Sequence, residues 1–515
     1  MSCAEKRESQ VLRRMSDIFE TLIVRTTYGS VEGERGDGVS VWRGIPYAAP
    51  PVGELRFRKP QPPGPWEGAR DATEFGHACP QGSRMKGRAP VTDISEDCLT
   101  INIWSPASDR AKRAVLFYIH GGSFSEGTGA DKEYEGTKLA REGDVVVVTF
   151  NYRLGAFGFM NFSFLDERFT PNCGLWDCLA ALRWVNENIA AFGGDPDNVT
   201  VCGQSAGATI ACVLSLYEGA RGYMQRVIMM SGVTTLLHTE TQAQQIAREF
   251  LDFMGIPDAA SLLALEGKAL AILQRDFSVA GYGAIAFGPS LDHEIIKQYP
   301  IKAARESETP GVPMLIGTTR EEMSIALNPF LSGIVDINKI RREGVAVEGE
   351  EKIAQIKKVY SHIYGKRGQA INISDYVFRI PSVWFAEARS GNSNTWMYRF
   401  DYETFGMRIS RMHAFHSSDI PFLFGNFKSG HAKLMTLLSS KKSVMKLHKE
   451  LRGDFLTLMK EGVLPWEPCT EEAAPAKCYA HHSKIEPAVP AEIMKAYEGT
   501  DFMQRCLAGE SVAIR

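Results

Sequence analysis

The chain has 515 residues, 44% hydrophobic and 23% charged, which provides for a large buried core and excludes general disorder. Its 58 basic and 61 acidic side chains give a formal charge of −3, so it offers no general attraction to phosphate backbones or anionic lipid, and a nucleic-acid partner is not expected. The longest apolar runs are about six residues, as in Ala114 to Ile119, far below the roughly 20 needed for a membrane-crossing helix.

Residues 1–20 are charged throughout and lack the apolar stretch of a secretory signal. They read as a polar N-terminal extension, and the expected location is cytoplasmic. Ten cysteines at irregular spacings include no C-x-x-C pair, which argues against a zinc framework or a dense disulfide scaffold and for small buried side chains.

In chain order, TLIVRTTYGSVEG and VSVWRGIPYA alternate apolar and polar positions around glycine turns, the pattern of antiparallel strands. The proline-rich segment Ala49 to Trp66 is excluded from helix or central strand and is expected to wrap the surface as a loop. CLTINIW, AVLFYIH and VVVVTFNYR follow as compact apolar runs, read as strands buried on both faces. Leu175, Leu179, Leu182, Val185, Ile189 and Phe192 recur every three or four positions, predicting an amphipathic helix over Gly174 to Phe192. VTVCG, RVIMMSG, PMLIGTT and WMYRFDY are further strands, with SAGATIACVLSLY a helix and Lys441 to Glu461 a terminal one.

This alternation predicts an α/β fold with a central, mostly parallel sheet flanked by helices. Segments 236–310 and 337–390 are helical and polar in pattern and read as insertions over one end of the sheet. No repeat, low-complexity tract or Ser/Gly-rich linker divides the chain, so 21–515 is expected to be one elaborated domain.

Gly203-Gln204-Ser205-Ala206-Gly207 lies between a predicted strand and a helix of small residues, the context of a nucleophile elbow; elsewhere the same G-x-S-x-G would be a plain turn. His120-Gly121-Gly122-Ser123-Phe124 ends another strand. Its glycines serve either a simple turn or an oxyanion hole, in which the amides of Gly121, Gly122 and Ala206 converge on a developing negative oxygen. His120 is then structural. His413 and His416 stand three apart, but no H-E-x-x-H pattern accompanies them and no metal site is expected.

RGIPYAAPPVGELRF, SEDCLTINIW, HGGSF, NYRLGAFGF, the long segment from Gly174 to Gly207, and AFHSSDIPFLFGN together resemble the type B carboxylesterases of the α/β-hydrolase fold, relatives of the cholinesterases and of bacterial para-nitrobenzyl esterases. They occur in that family's order and span most of Thr26 to Asn426. The resemblance implies a Ser, Glu, His triad: Ser205 as nucleophile, Glu322 as the acid with Glu321 as runner-up, and His416 as the base, without metal or organic cofactor. It also implies structural ion pairs of Arg56 with Glu96 and Arg153 with Asp177, and places Cys79 and Cys98 where the family has a disulfide loop. In a reducing cytosol those thiols are expected to stay reduced. Asn161-Phe-Ser, Asn198-Val-Thr and Asn372-Ile-Ser match the glycosylation signal and are read as incidental.

Two positions depart from the family pattern: Gln204 stands where Glu is common before the nucleophile, and Cys178 where Gln is expected. The implied activity is hydrolysis of small to medium uncharged carboxylic esters through an acyl-enzyme. The alternatives are carbamate or activated-amide hydrolysis at the same site, and a non-catalytic cholinesterase-like binding protein. The intact Ser205, Glu322 and His416 argue against the last.

Overall fold

Arg113–Ile119 is buried beyond its first residue, and its side chains divide between two cores. Val115, Phe117 and Ile119 enter one, while Ala114, Leu116 and Tyr118 enter the other, the period of two that a strand imposes. Val145 to Phe150 divide the same way, with Val146, Val148 and Phe150 on the first face and Val145 and Val147 on the second. A sheet covered on both faces follows, and near-continuous apolar runs are what such strands require.

The protein is described here by a computed structural model covering residues 22–82, 93–235, 237–324, 348–428, 430–437 and 439–510. The expected extension at 1–20, residue 236 of the segment read as 236–310, and residues 337–347 of the segment read as 337–390 lie outside the described residues. The strands in chain order are β1 (Leu22–Arg25), β2 (Ser30–Gly36), β3 (Val39–Pro46), β4 (Ala69–Asp71), β5 (Thr100–Ser105), β6 (Arg113–Ile119), β7 (Val146–Phe150), β8 (Gly194–Gln204), β9 (Arg226–Met230), β10 (Met314–Thr319), β11 (Thr395–Phe400), β12 (Pro475–Tyr479) and β13 (Lys484–Pro487). Their order in the sheet is β1-β2-β3-β5-β7-β6-β8-β9-β10-β11-β12-β13, with β4 alongside β2.

From β7 through β12 neighbouring strands are parallel. The flanks β1-β2-β3-β5-β7 and β12-β13 are antiparallel. The mostly parallel centre expected from the sequence is present within a larger mixed sheet: short turns join β1 to β2 and β2 to β3, while helix-containing crossovers join the central parallel strands. This is the α/β-hydrolase architecture.

The helix Cys173–Asn188 continues as a 3-10 turn to Phe192 and lays Leu175, Leu179, Leu182 and Val185 on the first face. Lys441–Glu461 is a helix over the predicted range and lays Val444, Leu447, Leu451, Phe455 and Leu458 on the second. It is not terminal, however. β12, β13 and the helices Ala491–Tyr497 and Asp501–Ala508 follow it. PAKCY has no strand pattern of its own and becomes β12 by pairing with Met397 to Phe400.

Between β9 and β10 the described residues form helices, among them Glu240–Met254 and Gly267–Phe277, and one isolated bridge from His238 to Ser290. Two ion pairs fasten loops to this frame. Arg153 donates Nε and Nη2 to Asp177 at 2.8 and 2.6 Å, both side chains buried. Arg56 bonds Glu96 through Nε at 2.7 Å and donates to the carbonyls of Leu263 and Leu265 at 3.0 and 2.8 Å, joining the proline-rich loop to the helical segment between β9 and β10.

Candidate active site

β8 ends at Gln204 and a helix begins at Ala206, so Ser205 must turn the chain between them. It does so at φ 56° and ψ −122°, a strained conformation for a residue with a side chain. The turn is tight because its glycines are crowded. A Cβ on Gly203 would stand 2.2 Å from the Gly207 carbonyl oxygen, and one on Gly207 would stand 2.0 Å from that of Ile119. The Ser205 amide is held by the Met230 carbonyl of β9 at 2.8 Å.

Gly121 and Gly122 follow β6, the neighbour of β8. Gly121 packs against the elbow: a Cβ there would lie 2.7 Å from Gln204 Oε1 and 3.0 Å from Ser205 Cβ. Gly122 adopts φ 120° and accepts from the amides of Ser125 and Glu126 at 3.1 and 3.0 Å. Ala206 opens its helix, where first-turn amides have no intrahelical acceptor. Gly121 is thus packed directly against Ser205, with Gly122 next in the chain after it and Ala206 next after the serine. His120 is buried, stacks on Tyr152 with centroids 4.5 Å apart, and directs Nδ1 at the Gly121 carbonyl at 2.8 Å.

Glu322 lies in the loop after β10 and is buried. Its Oε2 meets His416 Nδ1 at 2.6 Å, while Oε1 accepts from the Thr319 amide at 2.6 Å and the Ser231 hydroxyl at 2.7 Å. The two loops are also joined through the His416 amide, which donates to the Glu322 carbonyl at 3.2 Å. The ring of Phe378, between β10 and β11, packs against His416 with centroids 5.0 Å apart. His416 Nε2 lies 3.1 Å from Gln204 Nε2, and among the described residues no hydrogen bond links it to Ser205.

Glu321, adjacent in sequence, faces the other way. It pairs with Arg367, which also pairs with Glu403, and burial pushes the Glu321 carboxyl above its ordinary range. His413 Nδ1 approaches Glu403 Oε2 at 3.4 Å. Ligand atoms of Glu321, Glu403 and His413 lie within 4.8 Å of one another, the spacing of a cation site, but the Arg367 guanidinium already supplies positive charge to both carboxylates.

Neither Ser231 nor Asp419 has a role assigned from sequence, although Ser231 is legible there as a residue following the strand RVIMM and Asp419 as the acidic residue three beyond His416. Ser231 follows β9 as Ser205 follows β8, and that shared topological position was the available signal. Asp419 is buried, accepts from the Tyr398 hydroxyl at 2.7 Å and leaves Oδ1 without a hydrogen-bond partner among the described residues. Its pKa is pushed up to about 6, mainly by burial, with the negative charge of Glu322 adding to the effect.

Similarity searches agree with this architecture. The model of the carboxylesterase family matches residues 20–455. The chain is 37% identical over 464 residues to a para-nitrobenzyl esterase of Bacillus subtilis, covering 87% of this chain and 91% of that protein. It is 34% identical over 424 residues to carboxylesterase 3B of Mus musculus, covering 75% and 72%. Among solved structures, a thermophilic para-nitrobenzyl esterase superposes with a TM-score of 0.83 at 36% identity, covering 92% of this chain and 99% of that one. A carboxylesterase of Geobacillus stearothermophilus superposes at 0.81 and 34% identity, covering 92% and 100%. No described helix is long and apolar enough to cross a membrane. With a family match across most of its length and relatives of the same fold at more than a third identity, the chain belongs to the carboxylesterase family and is a carboxylic ester hydrolase.

Proposed function

We propose that Ser205, Glu322 and His416 form the catalytic triad, with the amides of Gly121, Gly122 and Ala206 as the oxyanion hole. His416 takes the hydroxyl proton as Ser205 Oγ attacks the ester carbonyl, and the converging amides receive the tetrahedral charge. Glu322 fixes the tautomer with Nδ1–H and stabilises the imidazolium. The imidazolium gives its proton to the departing alcohol. Water then repeats the cycle on the acyl-enzyme, using the same base.

The observation that carries this reading is the 2.6 Å contact of Glu322 with His416 beside a serine at φ 56°. None of these steps requires a metal or organic cofactor. The substrates are small to medium uncharged esters, a reading supported by the Phe378 ring against His416 and by Phe124, whose ring packs on Phe159 at 5.1 Å. A cytoplasmic location belongs to the same reading and is supported by nine cysteines packed as small buried side chains among the described residues.

The test is fluorophosphonate labelling of the native protein followed by peptide mapping. Ser205 is expected as the modified residue, and Ser205→Ala to lower turnover by about three to six orders of magnitude in folded protein. A stoichiometric adduct elsewhere, with Ser205 unmodified, would overturn the assignment.

A further inference from the structure

Gln204 is the last residue of β8, buried beside the nucleophile. Its side chain spans the space between Gly121 and His416. Oε1 faces the Gly121 α-carbon, where a Cβ would approach it to 2.7 Å, and Nε2 lies 3.1 Å from His416 Nε2. The orientation of an amide is normally ambiguous, but the chemistry of His416 resolves it here. Because the Glu322 carboxylate can only accept, Nδ1 of His416 carries the proton. Nε2 of the neutral ring then has a lone pair, and only the nitrogen of the amide can hydrogen-bond to it.

We propose that Gln204 is a positioning residue that donates its side-chain N–H to Nε2 of resting His416, competing with Ser205 for the base, and releases the ring as the serine proton is transferred. The inference rests on the triad reading given above. Once the Ser205 proton reaches Nε2, that atom becomes a donor and the amide NH2 can no longer bond to it. The amide then turns its oxygen to the imidazolium or leaves it, so the contact depends on which proton state the ring holds. A glutamate at position 204 would act in the opposite sense, since a carboxylate accepts from the imidazolium and has nothing to donate to the neutral ring.

The charged and titratable groups facing His416 are Glu322 at Nδ1 and Asp419 three residues on, whose carboxyl is bonded by Tyr398. Phe378 contributes only its ring, and its neighbours Asp375 and Arg379 are paired with each other. Gln204 is uncharged and is the one hydrogen-bond partner of Nε2 among the described residues. It is therefore the position from which the protonation of the base can be altered without disturbing the acid.

The experiment measures kcat/KM against pH for wild type, Gln204→Glu and Gln204→Met, together with the second-order rate of fluorophosphonate labelling. Gln204→Met removes the donor that favours the neutral ring, so the acid limb should move up by about half a pH unit. Labelling of this variant above that limb should quicken by about threefold to tenfold, because Ser205 no longer competes for the base. Gln204→Glu should move the acid limb up by about one unit or more. An acid limb and a labelling rate unchanged in folded Gln204→Met would overturn the proposal, leaving Gln204 a packing residue, even where Gln204→Glu shifts the limb through its own charge. Failure of the triad reading is distinguishable, since wild-type protein would then not be labelled at Ser205 at all.

Discussion

The Ser231 hydroxyl donates to Glu322 Oε1 at 2.7 Å, on the opposite side of the carboxylate from His416. Together with the Thr319 amide, it fixes the plane of a buried carboxylate that would otherwise rotate about its last side-chain bond. Ser231 itself sits at φ 54° and is fully buried, so it faces the acid and not the substrate. Hydrogen bonds to charged groups contribute about 1.5 to 3 kcal/mol. Ser231→Ala is expected to fold with a lowered Tm and to lose about tenfold in kcat, with KM little changed, because only the orientation of Glu322 is loosened. Steady-state kinetics on a neutral nitrophenyl ester, with a thermal melt alongside, checks both.

The raised carboxyl of Asp419 makes a prediction about stability. Its folded pKa of about 6 lies above the ordinary aspartate value of 3.8, so the native state binds this proton more tightly than the unfolded chain does. The contribution is fully present below pH 3.8 and is lost as pH rises through about 6. Carboxylates held low, such as Glu403 at about 2, act with the opposite sign, and the difference between wild type and Asp419→Asn isolates this one group. Urea unfolding from pH 4 to 7 should show wild type losing roughly 1 to 3 kcal/mol relative to the variant across that window. Parallel curves would mean that Asp419 is ionised throughout.

Sequence legibility ended where contacts between distant segments began. Ser205 stands in a local five-residue pattern between strand and helix, and Glu322 and His416 stand in segments that resemble those of a known family, so each could be singled out in place. The bond from Ser231 to Glu322 spans 91 positions and that from Gln204 to His416 spans 212, and no periodicity carries such information. β12 was missed for a related reason, since PAKCY becomes a strand only because β11 offers it an edge. The helices Cys173–Asn188 and Lys441–Glu461 were legible because their apolar stripes are written at the spacing of the helix itself.

Cys79 and Cys98, placed by family resemblance at a disulfide loop, are free thiols buried against each other. The hydrogen bond with Cys79, followed by burial, holds the Cys98 thiol well above its ordinary range. Cys79 Sγ also accepts from the Leu154 amide at 3.2 Å, so the pair is built into the loop after β7. Both thiols are buried, and for Cys98 the reactive thiolate is also disfavoured, so neither residue should react with iodoacetamide over hours in the native protein, and both should react at once in denaturant. Mass spectrometry of alkylated peptides reads this directly, and rapid native alkylation of Cys98 would contradict the packing.

The last prediction separates two neighbouring pairs of acid and base. Glu322 with His416 and Glu321 with the Arg367, Glu403 and His413 cluster lie on opposite sides of one loop, so the two sets of substitutions should divide cleanly. Glu322→Gln keeps the shape but favours the wrong tautomer of His416, and kcat should fall by about three to four orders of magnitude. His416→Ala should lose nearly all turnover, because neither acylation nor deacylation then has a proton carrier. Glu321→Gln and His413→Ala should change kcat/KM by less than about tenfold, or under roughly 1.4 kcal/mol. Their effect should instead fall on stability, since Glu321→Gln removes a carboxylate from beside a half-buried guanidinium. Kinetics and urea unfolding on all four variants decide the matter. Comparable kinetic losses from His413→Ala and His416→Ala in folded protein would leave the base unassigned, and an inactive His413→Ala beside an active His416→Ala would reverse the assignment.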